Sequence, residues 1–251
     1  QSGHTTIKIL DRVKATDEEF GTNYSERTKL ISKYFKANFN ELRDKKECAA
    51  YFKKRLIASY IYKGPVLEWY LKIKLRLENN FETFHEHCPK GGLIYDLGCG
   101  YGYLTLMLHL TGSQRQLVAW DYDLKKIQVA QNNYLKGDNT LFAQEDLNVS
   151  LPKAASTYII KDTLHYLPSK RQEEVLHHCM KMALPSGRIL LRDGFINTNQ
   201  HHVTERTERW STKMLKFNKS EHQLTFLSLD KLQQIANENN WKLKRLDSNR
   251  A

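Results

Sequence analysis

An α/β fold is the class this sequence predicts, with a mostly parallel sheet, helices on both faces and a helical N-terminal extension. Three observations carry that expectation. Leu93-Ile-Tyr-Asp-Leu-Gly-Cys-Gly-Tyr-Gly-Tyr-Leu-Thr-Leu-Met-Leu-His-Leu110 reads as a strand, a tight turn and a helix, with Gly98, Gly100 and Gly102 at alternate positions. Beyond it, short apolar runs alternate with segments of helical period up to residue 192. Acids stand where several of those runs end: Asp96, Asp121, Asp146 and Asp162. In open α/β sheets the carboxyl ends of strands are where ligands bind.

The elements follow in order. Thr6–Leu10 is a short β-like piece ahead of a polar segment that ends at Gly21. A helix starts near Thr22 or Asn23, with Leu30, Ile31, Tyr34, Phe35 and Phe39 at three- and four-residue steps. Leu42–Ile57 is a second, strongly basic helix, and Tyr60-Ile-Tyr-Lys-Gly-Pro65 breaks regular structure. Val66–Cys88 fits both strand alternation and helical spacing; more than twenty residues without a turn signal is long for a strand, so it reads as one helix. The core then runs as strand Gly92–Asp96, helix Tyr103–Thr111, strand Gln116–Asp121, and helix Leu124–Lys136 closed by Gly137. Strands at Thr140–Gln144 and Thr157–Lys161, a helix at Ser169–Ala183 and a strand at Arg188–Arg192 continue it. Phe195–Ser220 is polar and partly helical, Leu229–Asn239 is a helix and Trp241–Leu246 a sixth strand. Residues 1–88 thus read as the extension and 89–251 as the α/β domain.

Charge is uneven along the chain. Residues 91–198 carry 11 basic and 10 acidic side chains, against 18 and 12 in residues 1–90 and 10 and 6 in residues 199–251. Basic flanks suit nucleic acid, an anionic membrane surface or an acidic substrate, although most such flanks are simply solvated. Cys48, Cys88, Cys99 and Cys179 are scattered, with no Cys-x-x-Cys pair and no His cluster, so a reducing, cytoplasmic setting without a metal site is expected. No run of about eighteen uncharged apolar residues spans a bilayer. The start, Gln1-Ser-Gly-His, reads as part of something longer.

The glycine spacing is Asp-x-Gly-x-Gly-x-Gly, not the Gly-x-Gly-x-x-Gly of dinucleotide sites, and an acid inside the turn disfavours a pyrophosphate while suiting a cationic ligand. On these residues the chain resembles the class I S-adenosylmethionine-dependent methyltransferases, which have a Rossmann-like sheet. The resemblance implies that Asp96, Gly98, Cys99, Gly100 and Gly102 form the donor-binding turn. It also implies that Asp121 holds the ribose and Tyr122 packs on the adenine. A carboxylate about twenty residues past a Gly-rich turn suits that bidentate role on chemical grounds as well. Asp146 then meets the adenine amino group beside the Leu147 backbone, with Glu145 as a competitor for the same place. Lys161-Asp-Thr-Leu-His-Tyr-Leu167 resembles the family's motif after the fourth strand. Lys161 and Asp162 would lie by the methionine portion, and His165 and Tyr166 would edge the cleft. His165 reads equally as a base or as a pocket wall. Tyr60, Tyr62, Trp69 and Trp210 are candidate acceptor contacts, although aromatics at helical spacing are more often core.

Ile9–Val13 and Phe20–Thr28 resemble the tail of a lysophospholipid acyltransferase domain. With Tyr62-Lys-Gly-Pro-Val-Leu-Glu-Trp-Tyr70, the whole chain resembles the methyltransferase end of bacterial polypeptides that fuse a lipid exporter, an acyltransferase and a methyltransferase. The acyltransferase's His-x-x-x-x-Asp is absent, so no acylation is expected. That resemblance implies an acyl-lipid or aryl-polyene-type pigment precursor as acceptor, and peripheral contact with anionic membrane through the basic flanks. The rivals are a nucleic-acid methyltransferase and a non-catalytic domain that only binds the cofactor. The first has charge in its favour but no Asn-Pro-Pro-Tyr-like motif.

Overall fold

The computed structural model describes residues 48–60, 63–77, 81–112, 114–195 and 224–246. The expected elements at Thr6–Leu10 and Thr22–Phe39, and nearly all of Phe195–Ser220, lie outside them, as do Tyr62 and Trp210. Three helices come first: α1 Cys48–Ala58, α2 Pro65–Leu77 and α3 Phe81–His87. The α/β core follows as β1 Gly91–Leu97, α4 Tyr103–Thr111, β2 Gln114–Asp121, α5 Leu124–Gln131, β3 Thr140–Gln144 and β4 Ala155–Lys161. It closes with α6 Ser169–Met182, β5 Ala183–Arg192 and α7 Leu229–Glu238.

The five strands stand in the order β3-β2-β1-β4-β5. All four pairings are parallel. Chain order reverses between β1 and β4, so a crevice opens at the carboxyl ends of those two strands, where the glycine turn leaves β1. Side chains alternate across the sheet. Ile94 joins a cluster with α1–α4, whereas Tyr95 and Leu97 join another with Val175, Leu176 and Ile235 of α6 and α7. Helices on both faces are therefore present, as expected. All nine residues of α4 are buried, which fits a helix apolar on every side. Phe52, Leu56, Leu71 and Leu75 of the extension share its cluster.

Val66–Cys88 is helical, as expected, in its described residues up to His87, as α2 and α3. Three sequence expectations need correction. The helix from Leu124 stops at Gln131 instead of Lys136, because Asn133 turns its side chain to other bonds: its Oδ1 accepts locally from Leu135 N at 2.9 Å and its Nδ2 donates across the fold to Ser59 Oγ at 2.8 Å. β5 begins at Ala183, with a register shift opposite Ala155–Thr157, so Pro185-Ser-Gly187 lies within the strand. Trp241–Leu246 is not a strand: Trp241 N closes α7 by donating to Ala236 O, and Lys242–Arg245 are exposed.

Candidate donor and transfer site

The glycine turn is held from below. Gly98 N and Cys99 N both donate to Trp120 O at 2.8 Å, so neither amide is left for a ligand. All three glycines have positive φ, yet they do different work. A Cβ on Gly98 would overlap Thr163, and one on Gly102 would overlap the Phe142 ring and Ala130; these two let the chain pack. A Cβ on Gly100 would meet nothing within 4 Å. Only Gly100 opens the turn toward a ligand.

Asp121, at the end of β2, is 7% exposed. Its Oδ2 accepts from Gly100 N at 2.8 Å and its Oδ1 from Asp123 N at 2.9 Å. Each oxygen keeps a lone pair for a further donor. Burial raises its pKa, against the pull of Lys126. Tyr122 beside it is 42% exposed, an aromatic surface next to the carboxylate. This local set fits an adenosyl group: open backbone at Gly100, a bidentate acceptor and an exposed ring.

Asp96 is buried under the turn and accepts a hydrogen bond from Thr105 Oγ1 of α4. Burial pushes its pKa up to about 6, opposed by the Thr105 bond and by Lys161. Burial also holds the Cys99 thiol well above its ordinary pKa, so that side chain is a neutral wall. After β3, Asp146 is exposed and its Oδ1 accepts from Asn148 N at 2.8 Å, while Glu145 Oε2 accepts from Ser150 Oγ at 2.7 Å. Both acids thus help to form one turn. Leu147 is buried, and its carbonyl accepts from Arg171 Nε.

Asp162 has φ +52°, a left-handed conformation that costs a non-glycine residue on the order of 1 kcal/mol. Burial works to raise its pKa, but Lys161, Arg192 and Lys74 hold the carboxyl well below the usual range. Lys161 Nζ donates to Asp162 Oδ2 at 2.8 Å and Arg192 binds both carboxylate oxygens. His165 is 1% exposed, and its Nδ1 bonds Asp193 Oδ1. Its ring lies 4.3 Å from that of Tyr166 and stacks on Phe226 at 5.5 Å. Asp193 is a site residue that sequence reasoning missed; its partner is 28 positions away, and Asp-Gly after a strand reads as an ordinary turn.

Tyr60 is not an acceptor contact. Its side chain is fully buried and its hydroxyl donates to Tyr101 O at 2.7 Å, so it ties the extension to the glycine turn from within the core. Trp69 is 49% exposed on α2. Among the described residues no cluster of three or more His, Cys, Asp or Glu would hold a metal, and no helix is long and apolar enough to cross a membrane.

The sheet order and this turn define the class I methyltransferase fold, the fold of S-adenosylmethionine-dependent enzymes. Residues 94–187 match the family described as "Methyltransferase domain". A curated relative, carboxy-S-adenosyl-L-methionine synthase of Desulfotalea psychrophila, is 24% identical over 126 residues, 48% of this chain. The chain spans about half of that relative's length, 51%. Among solved structures, magnesium protoporphyrin IX methyltransferase of Synechocystis PCC 6803 with bound S-adenosylhomocysteine superposes with a TM-score of 0.52. It is 17% identical, over 71% of this chain and 78% of that one. The pyocyanin biosynthetic protein PhzM gives a TM-score of 0.52 at 16% identity, over 72% and 54%. At those identities the likeness is one of fold.

The raised Asp96 pKa sets a pH dependence. Because the folded value lies above the unfolded one, its contribution to stability is present below pH 4 and lost as pH rises through about 6. A cationic donor draws the value back down. Binding of S-adenosylmethionine at pH 6 is therefore expected to release part of a proton, and at pH 8 none. Calorimetry at pH 6 in two buffers of different ionisation enthalpy reads this directly; identical heats in both would refute it.

Proposed function

We propose that this chain transfers the methyl group of S-adenosylmethionine to a small-molecule or lipid-like acceptor. The observation that carries the reading is the clasp of Asp121 on Gly100 N, at 2.8 Å, around the one turn glycine that opens outward. When bound, the donor supplies an electrophilic methyl on a sulfonium sulfur. What the chain contributes is alignment and exclusion of water. Asp121 takes the ribose hydroxyls on its remaining lone pairs, Tyr122 covers the adenine, and Asp146 with the Leu147 backbone meets the amino edge. Asp96 supplies negative charge beneath the turn.

The His165–Asp193 pair serves as the general base in this reading. Asp193 keeps the proton on Nδ1, which leaves Nε2 as the acceptor atom and steadies the imidazolium that forms. The acceptor's hydroxyl or amine proton passes to Nε2 as its oxygen or nitrogen bonds the methyl carbon; the carbon–sulfur bond breaks and its electrons stay on sulfur. Asp193→Asn is expected to lower kcat about 100-fold with donor affinity unchanged, and to move the acidic limb of the pH–rate profile. An unchanged profile would make the pair structural.

The resemblance of the N-terminal stretches supports the fusion with an exporter and acyltransferase, an acyl-lipid or pigment-precursor acceptor, and work at the cytoplasmic face of an anionic membrane. The basic flanks favour one rival, a nucleic-acid acceptor, whose mark is steeply salt-dependent binding. Methyl-labelled S-adenosylmethionine incubated with the protein and a cell extract tests the proposal: label in a small or lipid-like product supports it, label in nucleic acid selects the rival, and no transfer refutes both.

A further inference from the structure

The mouth of the crevice holds more positive charge than donor binding requires. Lys161 at the end of β4 and Arg192 at the end of β5 both bond a single carboxylate, Asp162, and the charge of Lys74 on α2 also acts on it. Lys161 Nζ lies 2.8 Å from Asp162 Oδ2 and 3.1 Å from the Tyr103 hydroxyl, and its side chain is 5% exposed. It is fully engaged in holding the floor. Lys74 Nζ lies 5.9 Å and Lys161 Nζ 5.4 Å from the centre of the Tyr103 ring, so two ammonium groups flank one ring. Tyr103 itself begins α4, one residue past Gly102.

Three cations face two carboxylates, Asp162 and the Asp96 that Lys161 also acts on, so an excess of one positive charge remains, and a bound sulfonium adds another. The donor's own carboxylate and ammonium cancel. An anion on the second ligand relieves the excess, and two of the three cations have surface to receive it: the Arg192 side chain is 34% exposed and Lys74 is half-buried. We propose that the acceptor carries an anionic group, a carboxylate or a phosphate, recognised by Lys74 from the extension and Arg192 from the sheet. This rests on the donor reading of the same crevice. It also gives the extension a role: α2 brings an acceptor-reading cation to the domain that holds the donor.

The test uses the whole chain loaded with S-adenosylhomocysteine and titrated by calorimetry with benzoate, phenyl phosphate and benzamide, which share a ring and differ in charge. At least one anion is expected to bind about tenfold or more tighter than benzamide. Lys74→Met should remove that preference and Lys74→Arg retain it, with affinity for S-adenosylhomocysteine within about twofold of wild type in both. Equal binding of all three probes, or of none, by the loaded protein overturns the anionic acceptor alone. Failure to take S-adenosylhomocysteine at all overturns the donor reading with it.

Discussion

Replacing Asp121 with alanine is expected to weaken S-adenosylhomocysteine binding by about 100-fold or more, since hydrogen bonds to a charged acceptor contribute roughly 1.5–3 kcal/mol each. Two effects combine. The ribose loses its acceptor, and the amides of Gly100 and Asp123, bonded to the carboxylate at 2.8 and 2.9 Å, lose theirs, which frees the turn. Asp121→Asn should be nearly as damaging, because an amide nitrogen placed on either oxygen faces one of those N–H donors. Calorimetry on both variants, with circular dichroism to confirm the fold, measures it. Affinity within about threefold of wild type would remove Asp121 from the site.

The largest loss of stability is expected from Arg115. This guanidinium is fully buried and binds five acceptors: Pro89 O at 2.7 Å, Leu108 O at 2.9 Å, Thr111 Oγ1 at 3.0 Å, Cys88 O at 3.2 Å and His85 O at 3.4 Å. Those oxygens belong to the last turns of α3 and α4 and the residues just beyond them, where carbonyls lack helical partners and the helix dipoles are negative. Arg115→Ala leaves them unsatisfied around a cavity, and a loss of about 3–5 kcal/mol is expected in chemical denaturation. Arg115→Lys should restore less than half, since three donors on a point charge do not cover five acceptors in a fork. A loss below about 1 kcal/mol would show that the two helix ends find other partners.

Much of the architecture was legible because its signals are local. The strand–turn–helix at 93–110 carries its own period change and its own glycines, and the strands up to β5 are bounded by turn residues in the sequence. The errors share a cause. One-dimensional spacing does not show which partner a side chain will meet. Gly98, Gly100 and Gly102 look alike in sequence, but two face protein atoms and one faces open space. Arg115 resembles a solvated strand end until β2 is seen to begin at Gln114 and turn it inward. Tyr60 resembles a binding aromatic until its hydroxyl reaches the Tyr101 carbonyl, 41 residues away. Asp193 and the Arg192–Asp162 contact likewise depend on β4 and β5 lying side by side. Lys242–Arg245 alternate like a strand but pair with none of the described strands.

Titrating the wild-type chain with S-adenosylhomocysteine and, separately, with NAD tests the donor assignment most directly. One site for S-adenosylhomocysteine and no measurable heat with NAD is the result expected on the proposed reading, in which Asp96 beneath the turn repels a pyrophosphate and attracts the ammonium of the homocysteine portion. Absence of S-adenosylhomocysteine binding, or NAD bound as tightly, would contradict it.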